Sequence, residues 1–365
     1  MNFITKICDS RYWVFYTLII TFSLSMITSF PDSEIYNGEA TFSHLVVYQK
    51  ASHPFTQVDY NPKTHESKLT FRLTIPLLIR FLRLNIFSIF IMEYLIGIFL
   101  FYLTLKLSYD IFQNRFYSFL ITIATGQVFS GTTALVESVA MFDGAAIALL
   151  LSAMYFKAPI LKTVLVFLAG FCDERAIIAS PLIIIYDMND DVDLRGLFKT
   201  LCGSTSLSVI AAWILYAVCR ISLMNIYGLK TATGDVGFHL ILNQIHYLPI
   251  SLWTALEGFG ILIIFSITVL FHKGKYIFLM IFLSSLASII LVALSVLDVT
   301  RSLAYILPGL FVSMKALNRN TDYDWGKILL AILFISLLCP NFYICGNDCF
   351  IWSPSIFVRM ICNSY

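Results

Sequence analysis

Carboxylates are scarce in this chain and fall in a few tight places. Asp32-Ser33-Glu34 follows directly on an apolar run, and Asp173-Glu174-Arg175 interrupts another. A carboxylate at Asp32 or Glu34 can act as general base on a hydroxyl, or hold a divalent cation beside a phosphate. Acidic residues there can also do no more than solvate the end of a span. Three consecutive charges between apolar half-segments must face water, protein or one another. Broken helices in membranes commonly line a site, although an ion pair locking a hairpin meets the same need.

The cations have their own pattern. If 71–83 is helical, Arg80 and Arg83 lie about 80° and 20° round from Arg72. All three then share one face of an otherwise apolar helix, as in an interfacial amphipathic helix. Arginine suits a phosphate because its planar fork donates two hydrogen bonds at once. Asp298-x-x-Arg301 sets opposite charges one turn apart, either as a local pair or with Arg301 turned to a lipid phosphate.

Glu93, Glu137, Asp143 and Glu257 lie within or at the ends of apolar runs. Carboxylates there are costly and are either functional or interhelical hydrogen-bond partners. The histidines (44, 53, 65, 239, 246 and 272) show no metal spacing, so no metal site is assigned. Cys345 and Cys349 form the only close cysteine pair, bridged or free according to the redox state of their compartment. No glycine-rich phosphate loop is present, and no basic tract points to nucleic acid.

These residues must be carried by membrane helices. The 365 residues are 59% hydrophobic and 13% charged, with mean hydropathy +0.83. A soluble domain averages about 25% charged residues. The expected class is an all-α, polytopic integral membrane protein forming a single transmembrane domain over 1–365. Full spans are expected near 12–30, 85–107, 115–132, 139–157, 200–219, 249–271, 276–297, 302–316 and 327–345. Two half-length segments, 160–172 and 176–186, complete a broken helix pair with Asp173-Glu174-Arg175 at its apex. The run at 12–30 is longer than the roughly 7–15 residues of a signal-peptide core and is expected to be retained.

With Lys6 and Arg11 cytoplasmic, this arrangement puts Lys106, Arg115, Lys157, Lys162, Arg195, Lys199, Lys273, Lys275, Lys315 and Arg319 on the cytoplasmic side as well. Loop 31–84, with an interfacial helix at about 71–83, then falls on the extracytoplasmic side together with the hairpin apex.

The layout resembles the GT-C superfamily of polytopic glycosyltransferases over roughly residues 10–190. The resemblance rests on Asp32-Ser33-Glu34 opening the first loop, then Arg72-Leu73-Thr74-Ile75-Pro76, Phe142-Asp143-Gly144 opening a span, Asp173-Glu174-Arg175-Ala176, and Ser180-Pro181-Leu182. It implies transfer of a sugar from a polyprenyl-phosphate-linked donor to a glycan or lipid acceptor, at the outer face of a bacterial inner membrane. It makes Asp32 the best-matching catalytic position and Glu34 the next, with Asp173 and Glu174 as further acidic candidates. Arg72, Arg80, Arg83, Arg175 and Arg301 become candidates for the phosphate. Cations, or a divalent metal ion as cofactor, would stand beside that phosphate. The chain lacks the soluble domain that many members carry.

Two other readings share the size and spans. One is a glycan-assembly protein of the O-antigen-polymerase type, leaning on later arginines such as Arg220. The other is an ion-coupled transporter using Glu93, Asp143 and Glu257, for which inverted halves are expected and none is visible.

Overall fold

The computed structural model describes residues 2–29, 40–56, 69–133, 135, 141–230, 237–345 and 348–353. Asp32, Glu34 and Glu137 lie outside the described residues. In chain order the helices begin with α1 Asn2–Asp9, α2 Trp13–Ser29, α3 Ala40–Ser52, α4 Thr74–Leu82, α5 Ile86–Phe112, α6 Arg115–Thr125 and α7 Phe129–Thr132. Next come α8 Met141–Tyr155, α9 Pro159–Cys172, α10 Arg175–Ala179, α11 Pro181–Asp187, α12 Leu194–Leu201, α13 Ser204–Tyr227 and α14 Phe238–Gln244. The last are α15 Leu248–Leu256, α16 Gly260–His272, α17 Tyr276–Leu294, α18 Val299–Leu303, α19 Leu307–Asn320 and α20 Trp325–Leu338. An antiparallel hairpin follows, β1 Asn341–Cys345 and β2 Asp348–Ser353.

Among the described residues four helical stretches are long and apolar enough to cross a membrane: Ile86–Phe112, Ser204–Tyr227, Phe238–His272 and Tyr276–Leu294. Shorter apolar helices pack beside them at Trp13–Thr28, Phe142–Tyr155, Pro159–Cys172 and Trp325–Leu338. Along α13, Leu207, Ile214, Leu215, Val218 and Ile221 are exposed, a surface that only lipid can cover without cost. The chain is a helical integral membrane protein.

The expected nine full spans are not what forms. The run at 115–132 stops after α6, because Gly126 and Gly131 let the chain turn into the core. A Cβ on Gly131 would stand 1.8 Å from the Thr125 carbonyl oxygen. The run at 302–316 divides into α18, a 3-10 turn and α19, and its residues are buried in protein rather than facing lipid. The run at 327–345 ends as a helix at Leu338 and continues as β1 after Pro340. The helix expected at about 71–83 covers Thr74–Leu82, with Pro76 in its first turn.

The broken pair forms where the charges require it. α9 ends at Cys172 and α10 resumes at Arg175. Proline opens both α9 and α11, where its missing N–H has no intrahelical partner to lose. The 14 residues of α9 rise about 21 Å, less than the roughly 30 Å of hydrocarbon. The hairpin starts and returns at the same end, where Lys157 and Lys162 meet Asp187 of α11.

Its entry end is fixed by ion pairs. Lys162 and Thr205 both bind Asp187, and Lys157 stands 3.5 Å from the same carboxylate. Lys275 pairs with Asp191 and lies 3.9 Å from Asp190, which Arg319 approaches at 3.4 Å.

Candidate functional site

Four segments converge at the hairpin apex. The turn before α4 brings Arg72, the apex brings Asp173 and Arg175, the first turn of α8 brings Asp143, and α18 brings Arg301 with Asp298 just ahead of it. Asp143 suits its place, because a carboxylate is stabilised at a helix N-terminus. Asp173 is the C-cap of α9 and accepts from the Arg175 backbone N–H at 2.9 Å.

These six residues form an alternating chain of charge. Arg72 Nη2 stands 2.6 Å from Asp173 Oδ2. Arg175 donates through Nε to Asp173 Oδ1 at 2.8 Å and through Nη2 to Oδ2 at 2.7 Å. The same Nη2 reaches Asp143 Oδ1 at 2.5 Å. Arg301 grips Asp143 Oδ2 through Nε and Nη2, each at 2.7 Å, and reaches Asp298 Oδ2 through Nη1 at 3.3 Å. Three guanidiniums thus meet three carboxylates in sequence, and Asp143 and Asp173 are fully buried.

Neutral partners complete the set. Arg175 Nη1 donates to Ser302 Oγ at 2.7 Å, and the Tyr305 hydroxyl donates to Asp143 Oδ1 at 3.3 Å. Tyr343 of β1 donates to Asp298 Oδ1 at 3.4 Å, which draws the β-hairpin against the site. The Arg175 guanidinium lies 5.3 Å from the Tyr305 ring centroid and that of Arg72 lies 5.5 Å from Phe142, both within cation–π range.

The chain of charge ends unevenly. Among the described residues, Nε and Nη1 of Arg72 are buried without hydrogen-bond partners. An unsatisfied buried donor is costly, the more so on a charged group. On either side of this arginine pair, Leu73 and Cys172 line an apolar cavity of about 690 Å³, whose walls include Phe55, Phe99, Phe167, Phe171 and Leu223. That volume is in the range of small-molecule sites, about 300–1,000 Å³. Phe55, held by stacking on Tyr227 at 5.0 Å, closes one side of it.

Glu174 differs from its neighbours. Its side chain is 48% exposed and lies 3.7 Å from Arg220 Nη1. Arg220 is itself stacked 4.3 Å over Phe71 and bound to the Tyr216 hydroxyl at 2.5 Å. Cys219, Ser222 and Leu223, on the same helix as Arg220, also line the cavity, so Arg220 and its partner Glu174 stand just outside its wall.

The structure therefore brings together Arg72, Asp173, Arg175 and Arg301 from the sequence candidates, with Glu174 beside them. It separates Arg80 and Arg83, which are exposed. Arg80 reaches only the Ser52 carbonyl, at 3.5 Å, and Arg83 is the left-handed C-cap of α4. The shared arginine face is corrected accordingly: the helix begins after Arg72, whose side chain turns inward. Asp32 and Glu34 lie outside the described residues.

Sequence reasoning weighed Asp143, Arg175 and Arg301 separately without pairing them, and it missed Ser302, Tyr305 and Tyr343. Tyr305 had a usable signal, standing four residues after Arg301 and so on the same helical face. Tyr343 had none. Among the described residues no group of three or more His, Cys, Asp and Glu side chains could hold a metal ion. Cys349 is a free, exposed thiol.

Compared with protein families, curated proteins and solved structures, the chain matches none.

Proposed function

We propose that this protein is a membrane glycosyltransferase of GT-C organisation. It would take a sugar from a polyprenyl-phosphate-linked donor and pass it to a glycan or lipid acceptor at the apex end of the bundle. In this reading that end is extracytoplasmic, the lysine-rich end is cytoplasmic, and the membrane is a bacterial inner membrane. The observation that carries the reading is the end of the ion chain at Arg72, with two buried donors unpartnered among the described residues beside an apolar cavity. An anion on an apolar tail satisfies both.

The chemistry needs cations for the departing phosphate and a base for the acceptor hydroxyl. Arg72 and Arg175 are held rigidly by Asp173, so their donors are preorganised. Asp143 and Asp173 are each already gripped by two guanidiniums, which occupy the oxygens an acceptor hydroxyl would need. Glu174 is the exposed carboxylate beside the ion chain, next to Arg220, and is the base favoured among the described residues. Asp32 remains the position that the resemblance favours. The same saturation counts against a transporter that loads and releases ions through Asp143.

The test is binding and turnover in lipid nanodiscs. Native mass spectrometry should show a polyprenyl phosphate retained and the matching polyprenol released. R72A should lose the phosphate lipid, whereas E174Q should keep it and lose sugar transfer to an added acceptor. Equal retention of alcohol and phosphate would sink the proposal.

A further inference from the structure

A second buried carboxylate stands apart from the ion chain. Glu257 follows the last residue of α15 and opens the 3-10 turn Glu257–Phe259 that leads into α16. Its backbone has φ 43° and ψ −127°, a left-handed conformation that side chains other than glycine rarely adopt. Strain of this kind persists only where the surroundings enforce it. Here the enforcing contact is visible. Gly258 packs so closely on α20 that a Cβ would lie 3.1 Å from Ile332 Cα and 3.2 Å from its carbonyl oxygen.

This contact carries the Glu257 side chain inside the protein. The residue is 1% exposed, and among the described residues no hydrogen bond of good geometry reaches either carboxylate oxygen. The buried Ser336 hydroxyl of α20 lies beside it. No ion pair reaches Glu257 among the described residues. α15 carries no charged residue, and α16 only His272 at its far end. α20 offers Lys327 near its opposite end, and the Cys339 thiol follows its last residue. An ionised carboxylate placed in such surroundings neutralises rather than stay bare.

We propose that Glu257 is a proton-binding site within the membrane. It is a carboxylic acid at neutral pH, its O–H shared with Ser336, and the bound proton keeps the α15–α16 joint packed on α20. The proposal is independent of the glycosyltransferase reading, since Glu257 touches none of the residues invoked there.

Infrared spectroscopy of the full-length protein in lipid nanodiscs tests it. At neutral pH the wild type should show a carboxylic-acid carbonyl band that shifts in deuterated buffer, is missing in E257Q and is intact in the exposed-site variant D348N. Loss of carboxylate bands instead would show Glu257 ionised and overturn the proposal. So would removal of the acid band by added sodium at constant pH, which would make this a sodium site. A second measurement needs no variant. Dicyclohexylcarbodiimide modifies protonated carboxyls in apolar surroundings, and its adduct on the wild-type chain should map to Glu257. A chain unmodified at Glu257 after treatment in native membranes would also overturn the proposal.

Discussion

Arg72 Nη2 stands 2.6 Å from Asp173 Oδ2, and this contact joins the turn before α4 to the apex of the α9–α10 hairpin. Both side chains are nearly or fully buried, so Arg72 depends on Asp173 for compensation of its charge, while Asp173 is also held by Arg175. Removing one partner of a buried pair typically costs about 3–5 kcal/mol, because the remaining charge is stranded. R72M and D173L should each lower thermal stability by about that much. The double variant should lose less than the sum, with a coupling of about 0.5–3 kcal/mol. R80A and R83A should stay within about 0.5 kcal/mol of wild type, since those arginines are exposed. Thermal unfolding of the five variants and the wild type in one detergent checks the set. Additive losses would show that Arg72 and Asp173 act separately.

A second prediction concerns the turn that ends α6. Ser25 of α2 donates to the Gly126 carbonyl at 2.5 Å, and Gly131 lies against the Thr125 carbonyl with no room for a methyl group. Overpacking of this kind costs about 1–3 kcal/mol, occasionally more. G131A should lower the melting temperature and the yield of folded protein. G260A is the control, because a Cβ at Gly260 meets nothing within 4 Å. Equal behaviour of the two variants would show that the close approach at Gly131 does not exist.

The hairpin was legible because three adjacent charges cannot sit in lipid, and the helix breaks at those residues. The partners of those charges were not legible. Asp143 and Arg301 are 158 positions apart, and spacing along a chain says nothing about such pairs. Arg72 was misplaced because helical arithmetic assumes a helix from 71, whereas the helix starts at Thr74. The missing spans have a different cause. An apolar run looks the same whether lipid or protein covers it, and α19 is covered by protein. Gly126 and Gly131 within 115–132 were the available warning that the run is broken.

Lys50 provides a pH test. It lies in the last turn of α3, donates to the Thr56 carbonyl at 3.3 Å and is buried. Burial pushes its amine down to about 8 from an ordinary 10.5. Between those values the unfolded chain holds a proton that the folded chain lacks, so stability rises with pH across the window. Below it both states are protonated and the full cost of burying the charge is felt. Melting temperatures recorded from pH 7 to about 10.5 should therefore climb more in wild type than in K50M. A parallel course for the two proteins would show that Lys50 is not buried. Because Phe55, five residues on, closes the apolar cavity, K50M also tests whether that wall tolerates change.

Two native cysteines report the orientation. Cys202 follows α12 and is exposed at the end where Lys162, Thr205 and Asp187 meet. Cys349 is exposed on β2, which pairs with β1. That strand touches α18 through the Ile344 N–H to Thr300 Oγ1 bond, 3.1 Å, and so lies at the ion-chain end. The two thiols therefore mark opposite ends of the bundle without any engineered residue. If lysine-rich segments stay in the cytoplasm, a membrane-impermeant maleimide added to intact cells should modify Cys349 and spare Cys202. Permeabilised cells should yield both adducts, mapped by peptide mass spectrometry, and C349S and C202S should each remove one. Modification of Cys202 alone from outside would invert the molecule. The Arg72 site would then open towards the cytoplasm, where an extracytoplasmic glycosyltransferase has no substrate.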